Sequence, residues 1–233
     1  MRESREAKRA RGRKILAALE RAYPEAAIAL EFGTPLELLV ATILAAQCTD
    51  ERVNTVTRSL FLKYRTAEDY ARAEPAVLER EIRSTGFFRA KTRSIVGMAR
   101  ALVDRHGGEV PRTREALTAL PGVGLKTANV VLGNAFGQAA IAVDTHVFRV
   151  AQRLRLAHAD DPDAVHDQLT EVLPRDNWTR ACHLVQAHGR QTCKALRPLC
   201  SACPVRTLCP WPGKTRRSGG PDRNRSGRRS PVR

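Results

Sequence analysis

Four cysteines fall within seventeen residues, Cys193, Cys200, Cys203 and Cys209, with gaps of six, two and five residues between them. Thiolates that close in sequence can converge on one centre, and three occupants fit: an iron-sulfur cluster, a zinc ion, or a pair of disulfides. Only Cys200 and Cys203 form the Cys-x-x-Cys pair common at zinc sites, so spacing alone leaves all three open. Cys48 and Cys182 lie far apart and read as buried thiols of a reducing compartment, behaving as small hydrophobes.

A second group of residues could make and break bonds. Leu120-Pro121-Gly122-Val123-Gly124 joins two helical patterns through a turn whose glycines, Gly122 and Gly124, strip it of side chains. Its backbone N–H groups can therefore approach a ligand, and the helix that follows points the positive end of its dipole there, an arrangement suited to phosphate. Two residues on, Lys126 occupies the first turn of that helix, where ordinary helices place acids. The dipole disfavours an ammonium there and so favours the neutral, nucleophilic amine. Eighteen residues further, Val143-Asp144-Thr145-His146 sets an acid directly before another helical pattern. Asp144 reads as an N-cap, and a carboxylate held by helix N–H groups stays ionised and can stabilise a developing positive charge. A carboxylate in direct contact with Lys126 would instead stabilise the ammonium, so the two are expected to face one pocket from separate sides. His146 reads as a structural fixture.

These residues must be positioned by helices. Thr34-Pro35 supplies a cap and a first-turn proline ahead of Leu36, Leu39, Val40, Ile43 and Leu44, one apolar face at three- and four-residue spacing. The same logic predicts helices over Asp50–Tyr64, from Pro75 to near Gly86, and over Ala90–His106, Thr113–Ala119, Leu125–Phe136, Thr145–Leu154, Asp163–Leu173 and Asn177–His188. Gly107-Gly108 stops the longest of them. The fold class is all-α, and the short run Ala139–Val143 could pass for a strand but has no candidate partner nearby.

The formal net charge is +16 over 233 residues, and it is concentrated at the ends. Met1–Lys14 hold seven Lys or Arg against two Glu, and Pro212–Arg233 hold eight against one Asp. Both are expected to be disordered basic tails that favour salt-sensitive contact with nucleic acid phosphates. Charge throughout the first residues rules against a signal peptide, and the longest apolar stretch, Leu38–Ala46, is too short to cross a bilayer. A soluble cytoplasmic protein is expected, with no membrane partner.

Taken together, Leu120–Asn129, Ala142–Arg149 and the four-cysteine spacing resemble the endonuclease III family, the iron-sulfur branch of the helix-hairpin-helix DNA glycosylases, over roughly Ile15–Trp211. The resemblance implies two lobes with a cleft between them: a six-helix lobe over residues 30–138 carrying the hairpin, and a cluster lobe built from residues 15–29 and 139–211. It implies that Cys193, Cys200, Cys203 and Cys209 hold one [4Fe-4S] cluster, that Gly122 and Gly124 grip a DNA phosphate, and that Lys126 attacks the sugar with help from Asp144. The activity implied is base excision repair of damaged double-stranded DNA: a DNA glycosylase removing oxidised or ring-saturated pyrimidines, with apurinic/apyrimidinic (AP) lyase cleavage by β-elimination, acting as a monomer in the cytoplasm near the nucleoid. Gln47 matches a glutamine that fills the gap left by a flipped base. Gly86-Phe87-Phe88 matches a loop that wedges between bases, where Phe87 departs from the aliphatic residue usual in the family. Lys194 and Arg197, in a loop pinned at both ends by cysteine, are candidate phosphate contacts. The competing reading is a non-catalytic or inactive helix-hairpin-helix paralogue whose cluster is structural.

Overall fold

A computed structural model describes residues 3–215. Ser4 caps α1 (Arg5–Ala22), with its hydroxyl accepting from the Ala7 N–H. Thr34 and Pro35 open α2 (Pro35–Leu44), and Thr49 caps α3 (Asp50–Lys63). Next come α4 (Ala67–Ala71), α5 (Pro75–Ile82), a 3₁₀ turn over Arg83–Thr85, and α6 (Phe88–His106), which Gly107 ends in a left-handed conformation. The chain continues through α7 (Arg114–Thr118), α8 (Leu125–Ala135), α9 (Thr145–Arg153), α10 (Pro162–Val172) and α11 (Trp178–Gln191). Among the described residues there is no strand, and Ala139–Val143 runs as an irregular connection. No described helix is long and apolar enough to cross a membrane.

Two apolar cores organise these helices. One gathers buried side chains from Leu30 to Ala140, including Leu38, Leu39, Leu44, Val53, Leu78, Ile95, Met98 and Leu132, contributed by α2 to α8. The other joins Ile15, Leu16 and Leu19 of α1 to Val147, Val150, Leu169, Leu184 and Val185 of α9 to α11. The segment between Ala135 and Thr145 passes from one core to the other, tied by the Asn129 amide donating to the Ile141 carbonyl at 2.8 Å.

The expectation of disorder over residues 1–14 is corrected where that stretch is described. Arg5–Lys14 form the first half of α1, and three of its arginines, Arg5, Arg9 and Arg11, have structural partners. Arg9 donates to the Glu171 carbonyl at 2.7 Å and Arg11 to the Leu154 carbonyl at 2.6 Å, so both arginines satisfy backbone acceptors at the ends of α10 and α9. Gly12 is buried against Val172 and Leu173 at the end of α10. α4 also went unanticipated, although Thr66 and Asp69 form a reciprocal capping box around its first turn. Of the C-terminal tail expected over Pro212–Arg233, residues 216–233 lie outside the described part; Lys214 donates to the Cys209 carbonyl at 2.7 Å.

Candidate active site

The turn between α7 and α8 is held by Leu120 and Val123, both buried in the first core, and by the Val123 N–H donating to the Leu120 carbonyl at 3.1 Å. Gly122 has φ +76°, and a Cβ there would meet Ser94 Cβ at 2.5 Å, so both its conformation and its surroundings require glycine. Gly124 is the N-cap of α8 and offers no side chain to the first N–H groups of the helix, which leaves them for an external acceptor. Lys126 follows in that first turn and is exposed.

Asp144 caps α9, with Oδ1 accepting from the backbone N–H groups of His146 at 2.9 Å and Val147 at 2.7 Å. Its other oxygen accepts from the Gln186 amide at 2.6 Å. Burial pushes this carboxyl upward, but the Val147 N–H, Gln186, His146 and Lys126 outweigh it and hold Asp144 below the usual carboxylate range. His146 Nδ1 lies 3.4 Å from Asp144 Oδ2 without forming a hydrogen bond.

Lys126 and Asp144 line one cleft where the two cores meet. Thr42, Asn129 and Asn134 contribute from the first lobe, and Val147, His183 and Gln186 from the second. His183 Nε2 lies 2.8 Å from Asn134 Oδ1, and the Arg190–Asp50 ion pair, at 2.7 Å, joins α11 to α3. Burial pushes His183 below its ordinary value, with Arg180 adding to the effect, so its imidazole is neutral near pH 7.

Gln47 and Phe87 line a neighbouring groove together with Thr42, Lys91, Ser94 and Gly122, and Thr42 borders both spaces. Both residues adopt left-handed backbone conformations, φ 54° at Gln47 and 48° at Phe87, which non-glycine residues seldom take. Phe87 is 66% exposed, whereas Phe88 packs against the first core. Lys194 and Arg197 are exposed on the loop between the first two clustered cysteines and line neither space.

Cys193, Cys200, Cys203 and Cys209 surround a single cavity with His188, Trp211 and Arg206, and none of the six cysteines is in a disulfide. Although the four thiols share that cavity, no group of three Cys, His, Asp or Glu among the described residues is gathered closely enough to hold a single ion. Burial, reinforced by the neighbouring thiols, pushes Cys203 and Cys209 upward, a penalty that metal ligation removes. Cationic groups stand ready for negative charge: Arg153 donates toward Cys193 Sγ at 3.5 Å while stacking 4.3 Å over Trp211. Its guanidinium also donates to the carbonyls of Lys194 and Ala195, both at 2.7 Å.

Sequence reasoning did not single out Gln186, Lys91, His183 with Asn134, or Arg153. Each acts through a partner at least about forty positions away, except for Lys91's contact to Thr85, and no local spacing announces such pairs.

Comparison with known proteins gives a consistent picture. Residues 40–175 match the HhH-GPD superfamily base excision DNA repair protein family. Endonuclease III of Synechocystis sp. is 47% identical over 204 residues, covering 87% of this chain and 93% of the relative. Two solved structures, a non-covalent endonuclease III–DNA complex and a trapped endonuclease III–DNA covalent intermediate described as an estranged-adenine complex, superpose with TM-scores of 0.81 and 0.82. Each is 45% identical to this chain and covers 85% of it and 93% of the other.

Proposed function

The chain belongs to the HhH-GPD superfamily of base excision DNA repair proteins, in its endonuclease III branch, and on that premise we propose that it removes oxidised or ring-saturated pyrimidines from duplex DNA and cuts the strand through a lysine Schiff base. The observation that carries the reading is the cleft shared by Lys126 and Asp144, with Lys126 on the first turn of the helix that the glycine turn opens. A phosphate bound at the uncapped start of α8 would bring the adjoining sugar to this cleft.

A glycosidic bond inside a duplex is out of reach, so the nucleotide is first extruded. Phe87 is the wedge and Gln47 fills the vacated space, since both project from strained loops into one groove. As the base leaves with the bonding electron pair, Asp144 stabilises positive charge on the sugar, and its carboxylate is ionised for that role at neutral pH. The Lys126 nitrogen bonds to the same carbon and gives up a proton, the sugar ring opens to an imine, loss of a neighbouring proton expels the 3′ phosphate, and water then releases the lysine.

The residues present fit a [4Fe-4S] cluster: four thiols line one common cavity, and Arg153 beside Cys193 supplies positive charge next to them. When bound, the cluster would clamp the Lys194–Leu199 loop at both ends, presenting Lys194 and Arg197 to the backbone of the duplex. The protein would act as a monomer on double-stranded damaged DNA, in a reducing cytoplasm that suits the two remaining thiols, Cys48 and Cys182.

Incubation of the full chain with a duplex containing one oxidised pyrimidine should release the base and cut 3′ to the lesion, leaving undamaged duplex intact. Binding without base release, from protein whose cysteine site is filled, would favour the non-catalytic reading.

A further inference from the structure

Lys91 is 4% exposed and has no carboxylate partner among the described residues, yet neither the cleft chemistry nor the cysteine site uses it. It lies in the first turns of α6, immediately after the Phe87 loop. Its ammonium donates to the Leu44 carbonyl at 2.7 Å and to the Thr85 carbonyl at 2.8 Å. Leu44 is the last residue of α2, three positions before Gln47, and Thr85 ends the 3₁₀ turn two positions before Phe87. One buried cation therefore ties together the bases of the two loops whose backbones are left-handed at Gln47 and Phe87. Free carbonyls at the end of α2 carry the negative end of the helix dipole, so an ammonium is well placed there. A lysine so buried is costly unless its hydrogen bonds are met, and burial pushes Lys91 below its ordinary value. A leucine or methionine would fill the same space without that cost, but could not join two carbonyls.

We propose that Lys91 is a positioning residue that locks the Gln47 and Phe87 loops to one another, so that wedge and gap-filler enter the duplex as a unit. The proposal rests on the assignment of Gln47 and Phe87 to strand opening made above. Without the tether each loop can relax from its left-handed turn independently, and extrusion of the nucleotide requires both to be re-formed on DNA.

The test uses the full chain in four forms, Lys91→Met, Lys91→Arg, Gln47→Ala with Phe87→Ala, and Lys91→Met together with those two alanines, each with its cysteine site filled. Two substrates are compared under single turnover: a duplex carrying a paired oxidised pyrimidine, and a single strand carrying a preformed abasic site, which has no stack to open. Lys91→Met should slow base release from the duplex by about tenfold or more while changing borohydride trapping on the single strand by less than about twofold. The triple variant should be no slower on the duplex than Gln47→Ala with Phe87→Ala, because a residue that acts through those two side chains loses its effect once they are gone. Lys91→Arg, which keeps a cationic donor, should recover part of the lost rate. Equal losses on both substrates, or losses that multiply in the triple variant, would show a general structural role and overturn the proposal. A silent Lys91→Met beside a slow Gln47→Ala, Phe87→Ala protein would also overturn it. A slow Lys91→Met beside a silent double variant would remove the strand-opening assignment, and this proposal with it.

Discussion

Replacing Asp144 by Asn separates what the fold requires of that residue from what the chemistry requires. As an N-cap, Asn is about as good as Asp, and its carbonyl oxygen can take over the bonds from the His146 and Val147 N–H groups. The Gln186 amide, which donates to the second carboxylate oxygen at 2.6 Å, can rotate to present its oxygen to the new amide. Loss of charge weakens these hydrogen bonds by about half, partly offset because the neutral amide is cheaper to bury, for a net cost of about 1–2 kcal/mol. At this chain length that is a drop of roughly 2–8 °C in melting temperature. The catalytic cost is larger. A unit charge about 5 Å from a developing cation, at an effective dielectric of about 20, is worth about 3 kcal/mol, or roughly two orders of magnitude in rate. Single-turnover base release by D144N should therefore fall about 100-fold or more while the protein stays folded and binds duplex. Base release within about threefold of the parent, from folded protein, would reduce Asp144 to a helix cap and refute the electrostatic role. Stability against pH gives a second readout. Because Asp144 is held below its unfolded value of about 3.9, its ionised form contributes fully above that pH and the contribution is lost as pH falls through the lower folded value. The D144N protein should lack that part of the acid limb.

Other substitutions address the remaining parts. Gly122→Ala places a Cβ 2.5 Å from Ser94 in a left-handed conformation and should cost about 2–4 kcal/mol by denaturant titration. Gly124→Ala meets no atom within 4 Å and should change stability by less than about 1 kcal/mol, so any loss of duplex affinity there reports close approach of a phosphate; unchanged affinity would place the phosphate elsewhere. Arg153→Met removes both bonds that hold the Lys194 and Ala195 carbonyls and should weaken duplex binding about fivefold or more by anisotropy, whereas unaltered affinity would detach the cysteine-bounded loop from DNA binding. Deleting residues 216–233, which contain seven arginines and one aspartate, should flatten the dependence of affinity on salt without slowing base release at saturating DNA; an unchanged slope would contradict a role in phosphate contact.

Much of this arrangement is written locally in the chain. The cap and proline at Thr34-Pro35 and the acid before Thr145 mark α2 and α9 because capping is a contact between neighbours in sequence. The four cysteines mark their own cavity for the same reason. α1 was obscured because its basic half carries little apolar periodicity; Arg9 and Arg11 instead bond to carbonyls more than 140 positions away. α4 could have been found from its Thr66–Asp69 capping box, but five residues give too little period to read. Nothing near Asp144 points to Gln186, and nothing near Lys91 points to Leu44, since both pairings arise only when helices pack.

The central claim is that Lys126 is the nucleophile. Borohydride reduction in the presence of duplex DNA bearing an oxidised pyrimidine should cross-link the full chain irreversibly, and peptide mapping should place the adduct on Lys126. The Lys126→Gln protein should bind the same duplex and form no adduct. A cross-link that persists in that variant, or that maps to another amine in the parent, would contradict the account.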